Sequence, residues 1–126
     1  ANVFVAQFIG SPKMNILKIN SDNIISDNQI NFLGNKVTIE GINFSKNDYY
    51  LGIRPEHFSV STDSEYKFEP KIDLIENLGN EKIAYIKIDN HDISAKISSQ
   101  NIIGNSIGFN SKNIFVFDEN GKRIRA

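Results

Sequence analysis

Short stretches in which polar and apolar residues alternate are the feature that most constrains the fold of this chain. The segment 82–89 has apolar residues at positions 84, 86 and 88, and the segment 93–97 repeats the pattern after a turn. A two-residue period is typical of β-strands that bury one face. Such stretches recur at intervals of roughly 8–12 residues, which is typical of β-barrels and β-sandwiches. The sequence therefore predicts an all-β domain.

The apolar composition agrees with this prediction. The chain has 21 Ile but only 5 Leu and 1 Met. β-Branched side chains suit a pleated surface, whereas helices favour Leu and Met. An AT-rich coding bias would also raise the Ile content, together with Asn and Lys, so the alternation carries more weight than the counts.

The order of the expected strands can be followed along the chain. They lie at 14–20, 24–25, 30–33, 36–40, 49–53, 66–76, 82–89, 93–97 and 114–118. Gly34 and Asn35 are the predicted hairpin turn between two of them. In the 66–76 strand, Ile72 and Leu74 are expected on one side and Lys71 and Asp73 on the other. The polar stretch 59–65 is the best candidate for an internal junction.

One short helix is predicted at the N-terminus, over residues 2–12. Asn2 is its expected cap, and Gly10 lies where the C-terminal glycine of a helix is usual. Phe4 and Phe8 are four residues apart and therefore share a face. The segment is too short and apolar to be a stable free helix. It is expected either to cap the β core or to pack against a neighbouring domain.

Composition and motifs exclude several classes of function. A chain of 126 residues suits one domain or two small interleaved units. It has no Cys, and His57 and His91 are far apart, so neither a metal site nor a catalytic thiol is expected. No nucleotide-binding glycine loop, nucleophile elbow or paired carboxylates occur, so no catalytic residue is assigned.

Charge and hydropathy exclude two further classes. A net charge of −1 with interspersed signs gives no basic face for nucleic acid. No apolar run is long enough to cross a membrane as a helix. The sequence starts at Ala1 without a Met, so we expect the chain to be a piece of a longer protein or to begin with the remnant of a tag.

The segment 51–58 is the one place where charged groups crowd a rigid turn. Pro55 fixes its own φ and lacks an N–H, so the strand before it must end there. Arg54, Glu56 and His57 then lie together on the turn. They form either a structural corner or a contact site for a ligand or partner, in which His57 could sense pH.

The loop at 78–81 allows two interpretations as well. Gly79 suits a tight connection between strands that needs a positive φ. The alternative is that the loop contacts a partner subunit.

Several segments together resemble one protein family. FVAQFIGSPKMN at 4–15 resembles the motif that follows the nucleotide-binding domain in sugar-importer ABC ATPases. LGIRPEHF at 51–58 and IDLIENLGNE at 72–81 resemble two further signatures of the same family. FVFDENGKRI at 115–124 resembles the family's ending less specifically. The segments occur in the family's order and span nearly the whole chain.

The resemblance implies a fold and a role. The fold is the transport-associated OB-like (TOBE) domain, a MOP-like barrel of two intertwined β units with one short N-terminal helix. The units are expected at 14–58 plus 109–125 and at 66–108. Such domains serve regulation and dimerisation, so the implied partners are a second copy of the subunit, the N-terminal nucleotide-binding domain, the membrane permease subunits and a regulatory protein.

The same resemblance implies what this chain does not do. ATP and Mg are expected to bind to the N-terminal domain of the parent ATPase, so this chain itself is predicted to hold no cofactor and to be no enzyme. The parent complex is expected at the cytoplasmic face of the cell membrane. The segments 59–66 and 101–113 depart from the family pattern, which leaves any particular regulator undetermined.

The signature residues are the candidates for interface contacts. They are Phe4, Phe8, Ile9, Gly10, Met14, Asn15, Arg54, Pro55, Glu56, His57, Gly79, Asn80 and Glu81. The alternative function is a small-ligand module for an oligosaccharide or oxyanion, with a polar pocket built by Arg54, His57 and nearby loops.

Overall fold

The architecture is all-β, as predicted. A computed structural model describes residues 13–88 and 91–124. Its strands are β1 (Asn15–Ile19), β2 (Gln29–Phe32), β3 (Asn35–Thr38), β4 (Tyr49–Ile53), β5 (Tyr66–Phe68), β6 (Lys71–Asn77), β7 (Glu81–Ile88), β8 (His91–Ser98), β9 (Ile107–Phe109), β10 (Phe115–Phe117) and β11 (Arg123–Ile124). Short 3-10 turns lie at Ser21–Asn23, Pro55–His57 and Ser111–Asn113. The predicted helix at 2–12 lies outside the described residues.

The described strands form several small antiparallel sheets, consistent with an OB-like barrel. The largest has the order β1-β4-β10-β11, and a three-stranded sheet has the order β6-β7-β8. Two-stranded sheets pair β2 with β3 and β5 with β9. One apolar core runs through all four sheets, so residues distant in sequence are packed against each other.

Phe109 lies at the aromatic centre of this core. Its ring is fully buried and lies 5.5–6.4 Å, centroid to centroid, from the rings of Phe32, Phe58, Tyr66 and Phe68. Aromatic contacts at this distance stabilise the fold more than burial of the same apolar area would alone. Strands β2, β5 and β9 and the segment after β4 are therefore held on one ring.

The core face predicted for β7 and β8 is confirmed at positions 84, 86, 93, 95 and 97, whereas Ile88 is only partly buried and Ile83, on the other face, is buried as well. Ala84 and Ile86 are buried, and their cross-strand partners Ala95 and Ile93 are buried opposite them. Cross-strand partners share one face of a sheet, so this face is the one that packs on the core.

The hairpin between β2 and β3 turns one residue earlier than predicted. Leu33 and Gly34 both have positive φ, 49° and 77°, which is the geometry of a tight two-residue turn. Leucine rarely adopts this conformation, but the Leu33 side chain is buried. Asn35 is the first residue of β3, and its side chain donates to the carbonyls of Leu33 and Lys67. Burial and these bonds therefore select Leu33–Gly34 over Gly34–Asn35.

The single strand predicted at 66–76 is wrong. The structure has two strands there, β5 paired with β9 and β6 paired with β7, and they are separated at Pro70, which has no N–H to donate. A register shift between Ile72 and Leu74 then marks a β-bulge. The bulge turns Leu74 outward, with 61% of its surface exposed, so it does not share the buried side with Ile72.

Asn15 connects the two larger sheets through its side-chain amide. The amide nitrogen donates to the carbonyls of Ile53 (3.1 Å) and Ser94 (2.8 Å). The amide oxygen accepts from the Ser94 N–H at 2.8 Å. Asn15 is only 7% exposed, so these groups have little access to water. The amide thus pairs with Ser94 as a backbone peptide of a neighbouring strand would.

A second, smaller apolar cluster lies on the other face of β4. Met14 and Phe117 are buried there, with Ile16 partly buried beside them. Gly52 makes this packing possible. A Cβ at position 52 would lie 2.5 Å from the Met14 Sδ and 3.2 Å from the Phe117 ring. The glycine of the 51–58 segment is therefore explained by crowding.

Replacing Asn15 tests the link between the sheets. We expect Asn15→Ala to lower the free energy of unfolding by about 3 kcal/mol, because it leaves the buried N–H and C=O of Ser94 without their partner. Urea unfolding followed by circular dichroism measures this loss. Asn31→Ala is the matched control, because Asn31 is exposed in the middle of β2. Equal losses in the two variants would contradict the assignment.

Adding a methyl group at Gly52 tests the crowding. We expect Gly52→Ala to lower the free energy of unfolding by about 1–3 kcal/mol, the usual cost of overpacking. The loss should be smaller in a Met14→Ala background, because the side chain that crowds position 52 is then shortened. Gly104→Ala is the control, because a Cβ at Gly104 meets nothing within 4 Å. Additive effects of Gly52→Ala and Met14→Ala in urea unfolding would refute the contact.

Candidate functional site

The segment 51–58 forms the corner that the sequence predicted. β4 ends at Ile53, and a 3-10 turn covers Pro55–His57 with the buried proline at its first position. The His57 N–H donates to the Arg54 carbonyl at 2.9 Å and closes the turn. The turn packs against β8. The corner thus connects the end of β4 to the three-stranded sheet.

These three side chains do not converge on one point. The Arg54 guanidinium lies over the ring of Phe115, 5.7 Å from its centroid. Glu56 is exposed, whereas the Nδ1 atom of His57 is buried without a hydrogen-bond partner among the described residues. Neither Arg54 nor His57 lines the cavity beside the β2–β3 hairpin or the groove beside β10 and β11. The described contacts of Arg54 and His57 are thus separate, and a ligand pocket shared by the two stays a prediction.

Arg123 adds a second cation to the same ring. Its guanidinium carbon lies 4.5 Å from the Phe115 centroid. Cations over an aromatic face are held by the ring quadrupole. Sequence reasoning did not select Phe115 or Arg123 as site residues, because they come from β10 and β11 and meet Arg54 only in the folded sheet.

The other predicted interface residues at the start of the described chain are buried inside the domain. Met14 belongs to the small apolar cluster and Asn15 to the link between sheets. Phe4, Phe8, Ile9 and Gly10 lie outside the described residues. Both described residues therefore have structural contacts within this chain.

The loop between β6 and β7 is exposed. Gly79 has a φ of 90°, as expected for a tight connection, and the Asn80 carbonyl accepts from the Ser99 N–H at 2.9 Å. Glu81 forms an ion pair with Lys96 at 3.3 Å. The loop is thus held by its own contacts, and Gly79 and Asn80 remain at the surface.

Exposed aliphatic side chains lie next to this loop. Leu74 and Leu78 are 61% and 54% exposed, and residues 74, 76 and 78 alternate onto one face. The Tyr85 hydroxyl on the same face donates to the Glu76 carboxylate at 3.1 Å. This hydrogen bond raises the pKa of Tyr85 above its ordinary value. We refer to Leu74, Glu76, Leu78 and Tyr85 as the β6 surface.

Two half-open cavities lie elsewhere on the described part of the chain. One, of about 330 Å³, lies between β1, the β2–β3 hairpin and His91. The other, of about 490 Å³, is a groove beside β10 and β11.

Within the described residues, no group of acidic or histidine side chains could hold a metal ion, and no helix could span a membrane.

Comparison with known proteins identifies several relatives of this chain. No family model matches it. The maltose/maltodextrin import ATP-binding protein MalK of Vibrio parahaemolyticus is 35% identical over 96 residues, which are 72% of this chain and 26% of that protein. The alpha-glucoside transport ATP-binding protein AglK of Rhizobium meliloti is 32% identical over 100% of this chain and 38% of its own length.

A third relative has a different named substrate. The sn-glycerol-3-phosphate import ATP-binding protein UgpC of Psychromonas ingrahamii is 38% identical over 69% of this chain and 22% of its own length. The chain therefore spans well under half the length of the curated relatives that it matches. The all-β fold is consistent with the TOBE-type domain expected from the sequence. The chain is a homologue of the ATP-binding subunits of sugar-import ABC transporters, and it corresponds to one part of such a subunit.

Proposed function

We propose that this chain is the regulatory and dimerisation domain of the ATP-binding subunit of a carbohydrate importer. Its similarity to the alpha-glucoside transport protein over the whole chain supports the family context. In this proposal ATP and Mg bind in another part of the subunit, and this domain contributes contacts. Its partners are a second copy of the subunit, the nucleotide-binding domain, the permease subunits at the cytoplasmic face of the membrane and a regulatory protein.

The β6 surface is the observation that carries the dimerisation proposal. It presents two leucines, each more than half exposed, next to the predicted contact residues Gly79, Asn80 and Glu81. Exposed aliphatic residues that lie together often mark protein interfaces. Tyr85 adds an aromatic side chain with a polar end, a type that is enriched in interfaces. Burying Leu74 and Leu78 against a partner would therefore be favourable.

The contact is proposed through side chains, not by pairing of strand edges. Strand β6 is at the edge of its sheet, and Pro70 comes before it. Its β-bulge and its charged residues Lys71, Asp73 and Glu76 are features that discourage edge-to-edge pairing. The leucines of the β6 surface are then the main source of binding energy.

Charge substitutions on the β6 surface test this proposal. We expect the chain to self-associate in sedimentation equilibrium. Leu74→Glu with Leu78→Glu should raise the dissociation constant at least tenfold, because two carboxylates would have to be buried at the contact. Ile102→Glu is the matched control, since Ile102 is 86% exposed outside this surface.

Two outcomes would contradict the proposal. A wild-type chain that stays monomeric at millimolar concentration would refute autonomous dimerisation. An equal effect of Ile102→Glu and of the paired leucine substitutions would show that the β6 surface is not the contact. Both variants change exposed residues, so the circular dichroism spectrum should match that of the wild type.

A further inference from the structure

The cavity between β1, the β2–β3 hairpin and the start of β8 has the size of a small-molecule site. Its volume is about 330 Å³, at the lower end of the range of about 300–1,000 Å³ that such sites occupy. Its walls come from separate parts of the chain that meet only in the fold. A half-open cavity of this size suits a small molecule and not a folded partner.

The floor of this cavity is apolar and belongs to the core of the domain. Leu17, Ile19, Phe32 and Leu33 line it, and all four are buried. The Leu33 carbonyl also accepts from the Asn35 side chain at 3.0 Å, which fixes the hairpin turn. Because packed core residues keep their positions when no ligand is bound, little ordering is needed on binding.

Polar side chains line the more exposed part of the cavity. They are Lys18, Asn23, Asn31 and His91. The side chains of Asn31 and His91 have no hydrogen-bond or ion partner within the described part of the chain. The Asn23 amide oxygen accepts from the Asn20 N–H at 3.0 Å, so its amide nitrogen remains as a donor. A ligand can therefore replace water at these groups.

The charge at the cavity is compensated. Among the described lining residues, none is acidic and Lys18 is the one with a permanent positive charge. The Lys18 ammonium group forms an ion pair with the Asp48 carboxylate at 3.6 Å. The Asn31 carboxamide and the neutral imidazole of His91 each carry a donor and an acceptor. Hydroxyl groups also donate and accept, so this lining complements hydroxyls better than it complements an anion.

We propose that this cavity binds a neutral small molecule rich in hydroxyl groups, of the size of a sugar ring. Its hydroxyls form hydrogen bonds with Asn23, Asn31 and His91, and the C–H face of its ring packs on the apolar floor. An inorganic anion lacks the apolar face, and a hydrocarbon lacks the hydrogen bonds. No residue of the β6 surface lines the cavity, so this proposal does not depend on dimerisation.

Titration with two matched small molecules tests the proposal. The probes are D-glucose and tetrahydropyran, which has the same ring without hydroxyl groups. We expect glucose at millimolar concentration to cause saturable shifts in ¹⁵N-correlation spectra of this chain. The affected signals should be the backbone amides of Lys18, Gly34 and His91 and the side-chain amides of Asn23 and Asn31. Tetrahydropyran should bind at least fivefold more weakly, because it cannot replace the hydrogen bonds to water that the carboxamides lose.

A matched pair of variants assigns the effect to the cavity. Asn31→Ala should weaken glucose binding about fivefold, as expected for the loss of the hydrogen bonds of one side chain. Asn101→Ala, which removes an exposed asparagine outside the lining, should leave it unchanged. Because both residues are exposed, the dispersion of the spectrum should show that both variants are folded.

A third variant separates a neutral ligand from an anion. Asn31→Asp keeps an acceptor for hydroxyl groups and adds a negative charge. We expect it to weaken glucose binding less than Asn31→Ala does, whereas a site for anions would lose more in Asn31→Asp.

Four results would overturn the proposal. Glucose might cause no saturable shifts at the cavity, or tetrahydropyran could bind equally well, which would remove the role of the hydroxyls. The same shifts with sodium phosphate at lower concentration would reveal an anion site. Weaker self-association of the Asn31→Ala variant in sedimentation equilibrium would assign the cavity to a second copy of the chain. Glucose shifts that persist in the variant with Leu74→Glu and Leu78→Glu would support a site independent of the β6 surface.

Discussion

The amide of Asn15 is the interaction on which the arrangement of the sheets depends. It lies on β1 beside β4, and its hydrogen bonds to Ser94 join that sheet to β8. The partners of these bonds are 79 residues apart, so they order a large loop of chain. A carboxamide can do this because it carries one donor group and one acceptor group in the geometry of a peptide. The corner at Pro55 and the groove beside β10 are positioned by the same sheet.

Much of the fold could be predicted from local patterns. The strand Tyr49–Ile53, the corner after it and the buried faces of β7 and β8 all follow from proline chemistry or two-residue periodicity. The predictions for β6 and for the β2–β3 hairpin were wrong, because in each a single residue changes the strand register or the position of the turn. The bulge after Ile72 turns Leu74 outward, and the buried side chain of Leu33 moves the hairpin turn. Both outcomes depend on tertiary packing, which alternation does not encode.

For the candidate sites, too, the sequence indicates some residues and only the folded structure indicates others. A signature in the sequence points to Arg54 and Gly79, but it does not distinguish a residue that binds a partner from one that maintains the fold. The structure assigns internal roles to Gly52 and Asn15. Conversely, Phe115 and Arg123 meet Arg54 only because β4, β10 and β11 pair in one sheet. No spacing in the sequence indicates that meeting.

The bulge in β6 has a consequence for how copies of this chain can assemble. A regular edge strand offers an identical row of backbone groups to each new copy, and such contacts can repeat without end. In β6, the bulge and the preceding Pro70 interrupt that row, while Leu74 and Leu78 stand clear of it. Association through side chains about a two-fold axis closes on itself. The irregular strand thus discourages an open fibre built by repeated pairing of this edge.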